Sequence, residues 1–303
     1  MKATKRLITF TAVLALLLSM ASCSLLGGKA NLTQKITAGN IEVTIRDDMK
    51  EDPTITSKGD SYITCYFWSG YGLNIGAVGS SEVKFSGQDP GALLMETLKD
   101  QKNLSELKKF GDICYAEYTL TDSGKEYLFT DFILEEGYEF YFLEFYTMSK
   151  SSSGYMKQYQ DIVSSVKMLE EPEKTKEITI EGVKLTVDGD AADQGGNVYL
   201  CGRYMVSAYA YNIPAGSMTS KQFCESVIKQ GNYQTADGQS VTEINTSDEG
   251  ISSFECYMNN LNAMHYAKVD GKKLIYIFFF TSSPADDALK AEFAAIASAA
   301  SLA

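Results

Sequence analysis

Met264-His265-Tyr266-Ala267-Lys268-Val269-Asp270-Gly271-Lys272-Lys273-Leu274-Ile275-Tyr276-Ile277-Phe278-Phe279-Phe280 reads as two strands joined by a tight turn. Asp270-Gly271 supplies the central pair of a hairpin, and the run from Leu274 to Phe280 is apolar at odd and even positions alike, so both of its faces need cover. Earlier in the chain, Phe129 to Leu134, Glu136-Gly137 and Phe140 to Tyr146 repeat the arrangement with a weaker turn signal. A central strand apolar on both sides, reached through a hairpin, predicts an antiparallel sheet between covering layers.

The repetition extends outward from this hairpin in a fixed order. Ile41-Glu42-Val43-Thr44-Ile45 and Val183-Lys184-Leu185-Thr186-Val187 alternate as half-buried strands do. Tyr62-Ile63-Thr64-Cys65-Tyr66-Phe67 matches Val198-Tyr199-Leu200-Cys201-Gly202-Arg203, and Asn74-Ile75-Gly76-Ala77 matches Asn212-Ile213-Pro214-Ala215, at an offset of about 136 to 138 residues. A helix follows in each copy: Asp89 caps with Pro90 at the first helical position, and Thr219 caps with Gln222 three residues on. Ile113 to Tyr118 and Phe254 to Met258 give the next strands. Closing helices carry Tyr155, Tyr159, Ile162, Val163 and Val166 in one copy and Leu289, Phe293, Ile296 and Ala300 in the other, behind Ser283-Pro284.

The charged, Pro-interrupted segment 170–177 is the expected linker between domains 40–169 and 178–303. The fold expected is α+β: tandem duplicated α/β sandwich domains with largely antiparallel sheets. This order of elements, with a helix closing after an aromatic strand, resembles the PsbP-like fold, known from photosystem extrinsic proteins and from short bacterial lipoproteins with no assigned activity. The resemblance carries no diagnostic motif and implies no catalytic residue.

Residues 1–22 read as a secretory signal: Lys2, Lys5 and Arg6 form a basic start, and Leu7 to Met20 is apolar but shorter than the roughly 20 residues a stable span needs. Met20-Ala21-Ser22-Cys23 resembles the lipobox of bacterial lipoproteins. The resemblance implies cleavage before Cys23 and diacylation of its thiol, with residues 23–39 as a flexible tether to the extracytoplasmic side of the cell membrane. Two acyl chains anchor stably where one binds reversibly.

The chain carries 27 basic and 39 acidic side chains, a net charge of −12, which argues against nucleic acid as a partner. Cys65, Cys114, Cys201, Cys224 and Cys256 form no Cys-x-x-Cys pair and read as small buried hydrophobes. His265 is the single histidine, in an alternating strand, and its counterpart in the first copy is Asp131. Catalysis through it needs a nucleophile beside it, and zinc needs ligand spacing that the cysteines lack. Asp188-Gly189-Asp190-Ala191-Ala192-Asp193 starts like a calcium loop, but Asp193 stands at the sixth position and Tyr199 at the twelfth, where Gly and an acid are required.

No metal, organic cofactor or catalytic group is therefore expected, and the chain is read as a non-enzymatic binding or assembly module for an envelope protein or glycan. The competing readings are a structural envelope lipoprotein without a ligand and a hydrolase using carboxylates that converge on folding. Trp68 and Tyr71, in Tyr66-Phe67-Trp68-Ser69-Gly70-Tyr71-Gly72-Leu73, are the candidate contact residues because aromatics beside glycines offer rigid area open to close approach.

Overall fold

The computed structural model describes residues 31–51, 64–67, 70–122, 124–148 and 150–303. The signal segment, Cys23 and Trp68 lie outside the described residues. The chain divides into two compact units. One comprises the described residues up to Ser80 with Gln88–Pro172, and the other Ser81–Gly87 with Glu173–Ala303.

In the first unit, β1 (Leu32–Ala38) and β2 (Ile41–Arg46) form a hairpin, followed by β3 (Lys50–Glu51), β4 (Thr64–Phe67) and β5 (Gly72–Gly79). A short helix α1 (Ser80–Phe85), most of which groups with the second unit, precedes α2 (Pro90–Leu98), β6 (Lys108–Phe110), β7 (Ile113–Asp122), β8 (Lys125–Glu136), β9 (Glu139–Thr147), α3 (Met156–Val163) and β10 (Lys167–Met168). The strands make a seven-stranded sheet of order β3-β4-β5-β9-β8-β7-β6 and a small sheet β1-β2-β10.

The second unit repeats this plan. It runs β11 (Thr175–Ile180), β12 (Val183–Asp188), β13 (Ala192–Asp193), β14 (Tyr199–Cys201), β15 (Tyr204–Asn212), α4 (Ser220–Gly231), β16 (Asn245–Thr246), β17 (Ser252–Met258), β18 (Leu261–Asp270), β19 (Lys273–Thr281), α5 (Asp287–Ala299) and β20 (Ser301–Leu302). Its sheets are β13-β14-β15-β19-β18-β17-β16 and β11-β12-β20. Every neighbouring pair in both units is antiparallel. These are duplicated α/β sandwiches of the α+β class.

One face of each large sheet packs on the small sheet and the closing helix. Phe145 stacks on Tyr159 of α3 with centroids 4.2 Å apart, and Phe279 stacks on Phe293 of α5 at the same 4.2 Å. All four rings are fully buried, and each such side chain contributes about 1.5–3 kcal/mol by leaving water. The opposite faces receive α2 and α4. Asp89 Oδ1 accepts from Ala92 N at 2.6 Å to start α2, whereas Thr219 and Gln222 close a reciprocal capping box on α4. Asn232 ends α4 in the left-handed conformation at φ 48°.

The structure differs from the sequence expectations in four places. The expected tether 23–39 contains β1, because Ile36 and Ala38 alternate inward against β2. The expected linker 170–177 overlaps β11 for the same reason: Ile178 and Ile180 are buried, and Glu181-Gly182 turn the hairpin with φ of 47° and 78°. The match of Asn74-Ile75 to Asn212-Ile213 is a chance identity. Leu73 opposite Phe145 occupies the place of Val206 opposite Phe279, so Asn212 ends β15 and Ile213 lies beyond it. Finally, each closing helix continues into a two-residue strand, β10 or β20, which pairs back onto β2 or β12.

Candidate functional site

Rows of residues that face one another across the two large sheets bring together polar groups from distant segments. In the first unit the row is Asn74, Glu144, Asp131 and Ala116, running β5-β9-β8-β7. In the second it is Ser207, Phe278, His265 and Phe254, running β15-β19-β18-β17. Asp131 and His265 therefore hold the same position, as the sequence pairing of the two strands implies.

Asp131 and Glu144 are 5% and 1% exposed. Asn74 Nδ2 donates to Glu144 Oε1 at 2.7 Å, and the Tyr118 hydroxyl donates to Oε2 at 2.9 Å. Loss of water pushes the Glu144 carboxyl up to about 7 despite these two donors. Asp131 is pushed well above the usual carboxylate range by burial and then by the neighbouring Glu144, and its Oδ1 has no hydrogen-bond partner. The donors converge on Glu144, so Glu144 is the member that tolerates charge and Asp131 the member that keeps its proton.

His265 is 2% exposed and lies parallel to Phe254, with centroids 4.5 Å apart and planes 2° apart. Tyr233, Tyr276 and Phe278 complete an aromatic box around it. Its Nε2 meets Cys256 Sγ at 3.2 Å and its Nδ1 meets the Tyr276 hydroxyl at 2.5 Å, which provides one donor and one acceptor for a neutral ring. Burial pushes the imidazole down to about 3 and the Cys256 thiol up to about 12. The fold does supply the thiol neighbour that the sequence left in question. A thiolate–imidazolium nucleophile needs both shifts to run the other way, so this contact packs rather than reacts.

A second feature of the same face is exposed. While α4 packs on β17 and β18, the adjoining strands β15 and β19 keep Tyr209, Tyr211, Phe278 and Phe280 partly or largely open, and Tyr211 is 43% exposed. Tyr209 stacks with Tyr211 at 6.3 Å and 26° and with Phe278 at 5.9 Å and 20°, so the three rings pack against one another in one offset stack. Phe223 of α4 borders it, 5.9 Å from Tyr211. In the first unit the equivalent β5 positions are Gly76 and Val78, which carry no ring.

Of the sequence candidates, Trp68 is outside the described residues and Tyr71 falls elsewhere. Tyr71 is 2% exposed and packs edge-on against Phe145 and Tyr159, with its hydroxyl 3.3 Å from Gln158 Oε1, so its ring area is already used in the core. The corresponding signal in the second unit, alternation of Tyr209 and Tyr211 with Ala208 and Ala210, is masked in the sequence by the mistaken register at Asn212. Asp188 and Asp190 border Gly202, and Asp190 accepts from Ser81 Oγ at 2.6 Å. Among the described residues no group of three or more His, Cys, Asp or Glu is arranged to hold a metal ion, and no helix is long and apolar enough to cross a membrane. Cys114, Cys201, Cys224 and Cys256 are buried free thiols. A groove of about 400 Å³ lies between Thr119, Glu126, Leu128, Met148 and Lys150.

No protein-family model matches the chain, and no curated protein matches it. Among solved structures it is similar to a protein from Bacteroides thetaiotaomicron, at 17% identity and a TM-score of 0.33 over 50% of this chain and 54% of that one. The match thus spans about half of the Bacteroides protein. It is also similar to the cyanobacterial PsbP of Synechocystis, at 8% identity and a TM-score of 0.29 over 48% of this chain and 97% of that one. A third likeness is the T6SS immunity protein TplEi from Pseudomonas aeruginosa, at 10% identity and a TM-score of 0.22 over 88% of this chain and 96% of that one. Likenesses of this size bring no activity or partner to this chain.

Proposed function

We propose that this chain is a lipoprotein anchored through Cys23 to the extracytoplasmic side of the cell membrane, where it acts as a non-enzymatic binding module for an envelope protein or glycan. The observation that carries the binding role is the division of its side chains. The polar groups that the sheet rows gather, Asp131, Glu144, Cys256 and His265, are buried, while the aromatic stack around Tyr211 is held at the surface. Exposed aromatic residues on a rigid sheet offer contact area at low entropic cost. The hydrolase reading gains a converging carboxylate pair, but a hydrolase needs that pair to reach water and substrate, and here both members are under cover. The anchor rests on the sequence leading to Cys23.

Two measurements test this. Metabolic labelling with a clickable fatty acid is expected to mark the wild type and leave Cys23→Ala unmarked; equal labelling removes the anchor. Recovery of envelope material on the immobilised mature chain is expected to fall in Tyr211→Ala. Recovery of nothing specific by the wild type defeats the binding role.

A further inference from the structure

We infer that α2 is a proton-held lid on the first unit: Pro90–Leu98 stays down while the Asp131–Glu144 pair keeps a proton and lifts when the pair gives it up. The strands place the pair under the helix. Along β7, Cys114, Ala116 and Tyr118 lie opposite Ile133, Asp131 and Phe129 of β8, so Asp131 sits in the middle of the face on which α2 packs. Gly91 brings the helix close, since a Cβ at this position would stand 3.3 Å from Cys114 Sγ and 2.6 Å from Leu107 Cδ2. Asp131 and Glu144 face each other directly across β8 and β9.

The surroundings decide how the pair responds to base. Glu144 accepts from Asn74 of β5 and Tyr118 of β7, whereas Asp131 Oδ1 has no hydrogen-bond partner. The lid turns Leu93, Leu94 and Leu98 inward, and its one charged residue, Glu96, is exposed. The other titratable groups on this face of the sheet are Cys114 and Tyr118 of β7, Tyr127 of β8 and Tyr146 of β9, with Lys125 and Glu135 exposed toward the ends of β8. Among the described residues, no cation acts on either carboxyl. Two facing acids without a cation do not both carry charge under cover, so losing the last proton draws water to them. The opposite face of the sheet is closed by the small sheet and by α3, where Phe145 stacks on Tyr159. By contrast, α2 is nine residues long and starts on a single cap bond from Asp89, so it is the element that opens first.

The lid has a built-in reporter, because Cys114 is a buried thiol beside Gly91 of α2 while Cys224 and Cys256 are buried thiols of the second unit. The test labels the full mature chain with N-ethylmaleimide from pH 7 to 8.5 and reads each cysteine by peptide mass spectrometry. Dividing the Cys114 rate by those of Cys224 and Cys256 cancels the growth in thiolate that all three share. This ratio is expected to climb about tenfold per pH unit, the slope of one proton released on opening, and to be flat in Asp131→Asn. Hydrogen exchange, corrected for its intrinsic pH dependence, is expected to rise across residues 90–98 while 156–163 stay protected. A ratio independent of pH overturns the lid, and so does an equal slope in folded Asp131→Asn. Exchange rising in both helices together also overturns it, since the unit then loosens as a whole. Should Asp131→Asn not fold, the wild-type exchange pattern decides alone.

Discussion

Asp131 and His265 sit at the same point of two sheets that share one plan, and the surroundings of each have been built in opposite senses. The first unit faces its acid with a second acid, Glu144, and stabilises the pair with Asn74 and Tyr118. The second replaces that partner with Phe278 and encloses an uncharged imidazole in rings. A buried polar residue in a duplicated fold is thus a shared position with separate solutions, and the two solutions respond to acid in opposite directions.

The largest expected effect tests the plan the units share. Phe145→Ala and Phe279→Ala each remove a ring stacked at 4.2 Å on the closing helix, and each should cost about 3–5 kcal/mol. Hydrogen exchange resolved to residues 113–147 and 252–281 would show which unit loosens. Similar losses support equivalent cores, and a negligible loss in either breaks the equivalence.

The second test is pH. Folding raises the Glu144 carboxyl from 4.5 to about 7, so the folded first unit holds a proton that the unfolded chain releases. Its stability is greatest below pH 4.5 and declines as pH climbs through about 7. Folding lowers the His265 imidazole from 6.5 to about 3, so the unfolded chain binds the extra proton. The second unit is most stable above pH 6.5 and weakens as pH falls toward 3. Urea unfolding from pH 3 to 8, followed by exchange in each unit, should give opposite slopes; Glu144→Gln should reduce the first to the part that Asp131 contributes, and His265→Phe should flatten the second. Parallel slopes would undo the comparison.

A smaller change is expected from Asp131→Asn, which relieves the acid facing Glu144. Above pH 7 it should stabilise the first unit by about 1 kcal/mol, on the scale of one buried polar group, and move the decline in its stability to lower pH. Destabilisation at pH 8 would mean that the protonated Asp131 makes a contact Asn cannot replace. The smallest expected effect comes from the caps: Thr219→Ala and Asp89→Ala should cost about 0.5–2 kcal/mol each, with exchange rising first in α4 and α2. Thr219 closes a two-way box and Asp89 a single bond, so Thr219→Ala should be the larger.

Elements with a local signature were legible in the chain. Asp270-Gly271, Thr219 with Gln222, Asp89-Pro90 and the stripe Tyr159, Ile162, Val163 act within a few residues, and each lies where its chemistry predicts. What escaped depends on partners far away. β1 and β11 are polar at every second position and become strands through β2 and β12, and β10 and β20 are too short to have a period at all. The pairing of Asp131 with Glu144 follows from register, which no local signal states, although an acid inside the aromatic run Phe140 to Tyr146 was a mark of something buried and satisfied. The Asn74 and Asn212 identity misled because a match of four residues cannot fix register. The same misplacement hid Tyr209 and Tyr211, while Tyr71 was drawn inward by α3.

Each seven-stranded sheet stops at strands of two or three residues: β3 and β6 in one unit, β13 and β16 in the other. The longer margins are β1, which carries Lys35, and β11, which carries Lys176 and Glu177. Unpaired strand margins are templates on which identical chains add to one another, and charge or brevity is what prevents it. Copies of this chain that meet one another find in these sheets almost nothing to zip onto.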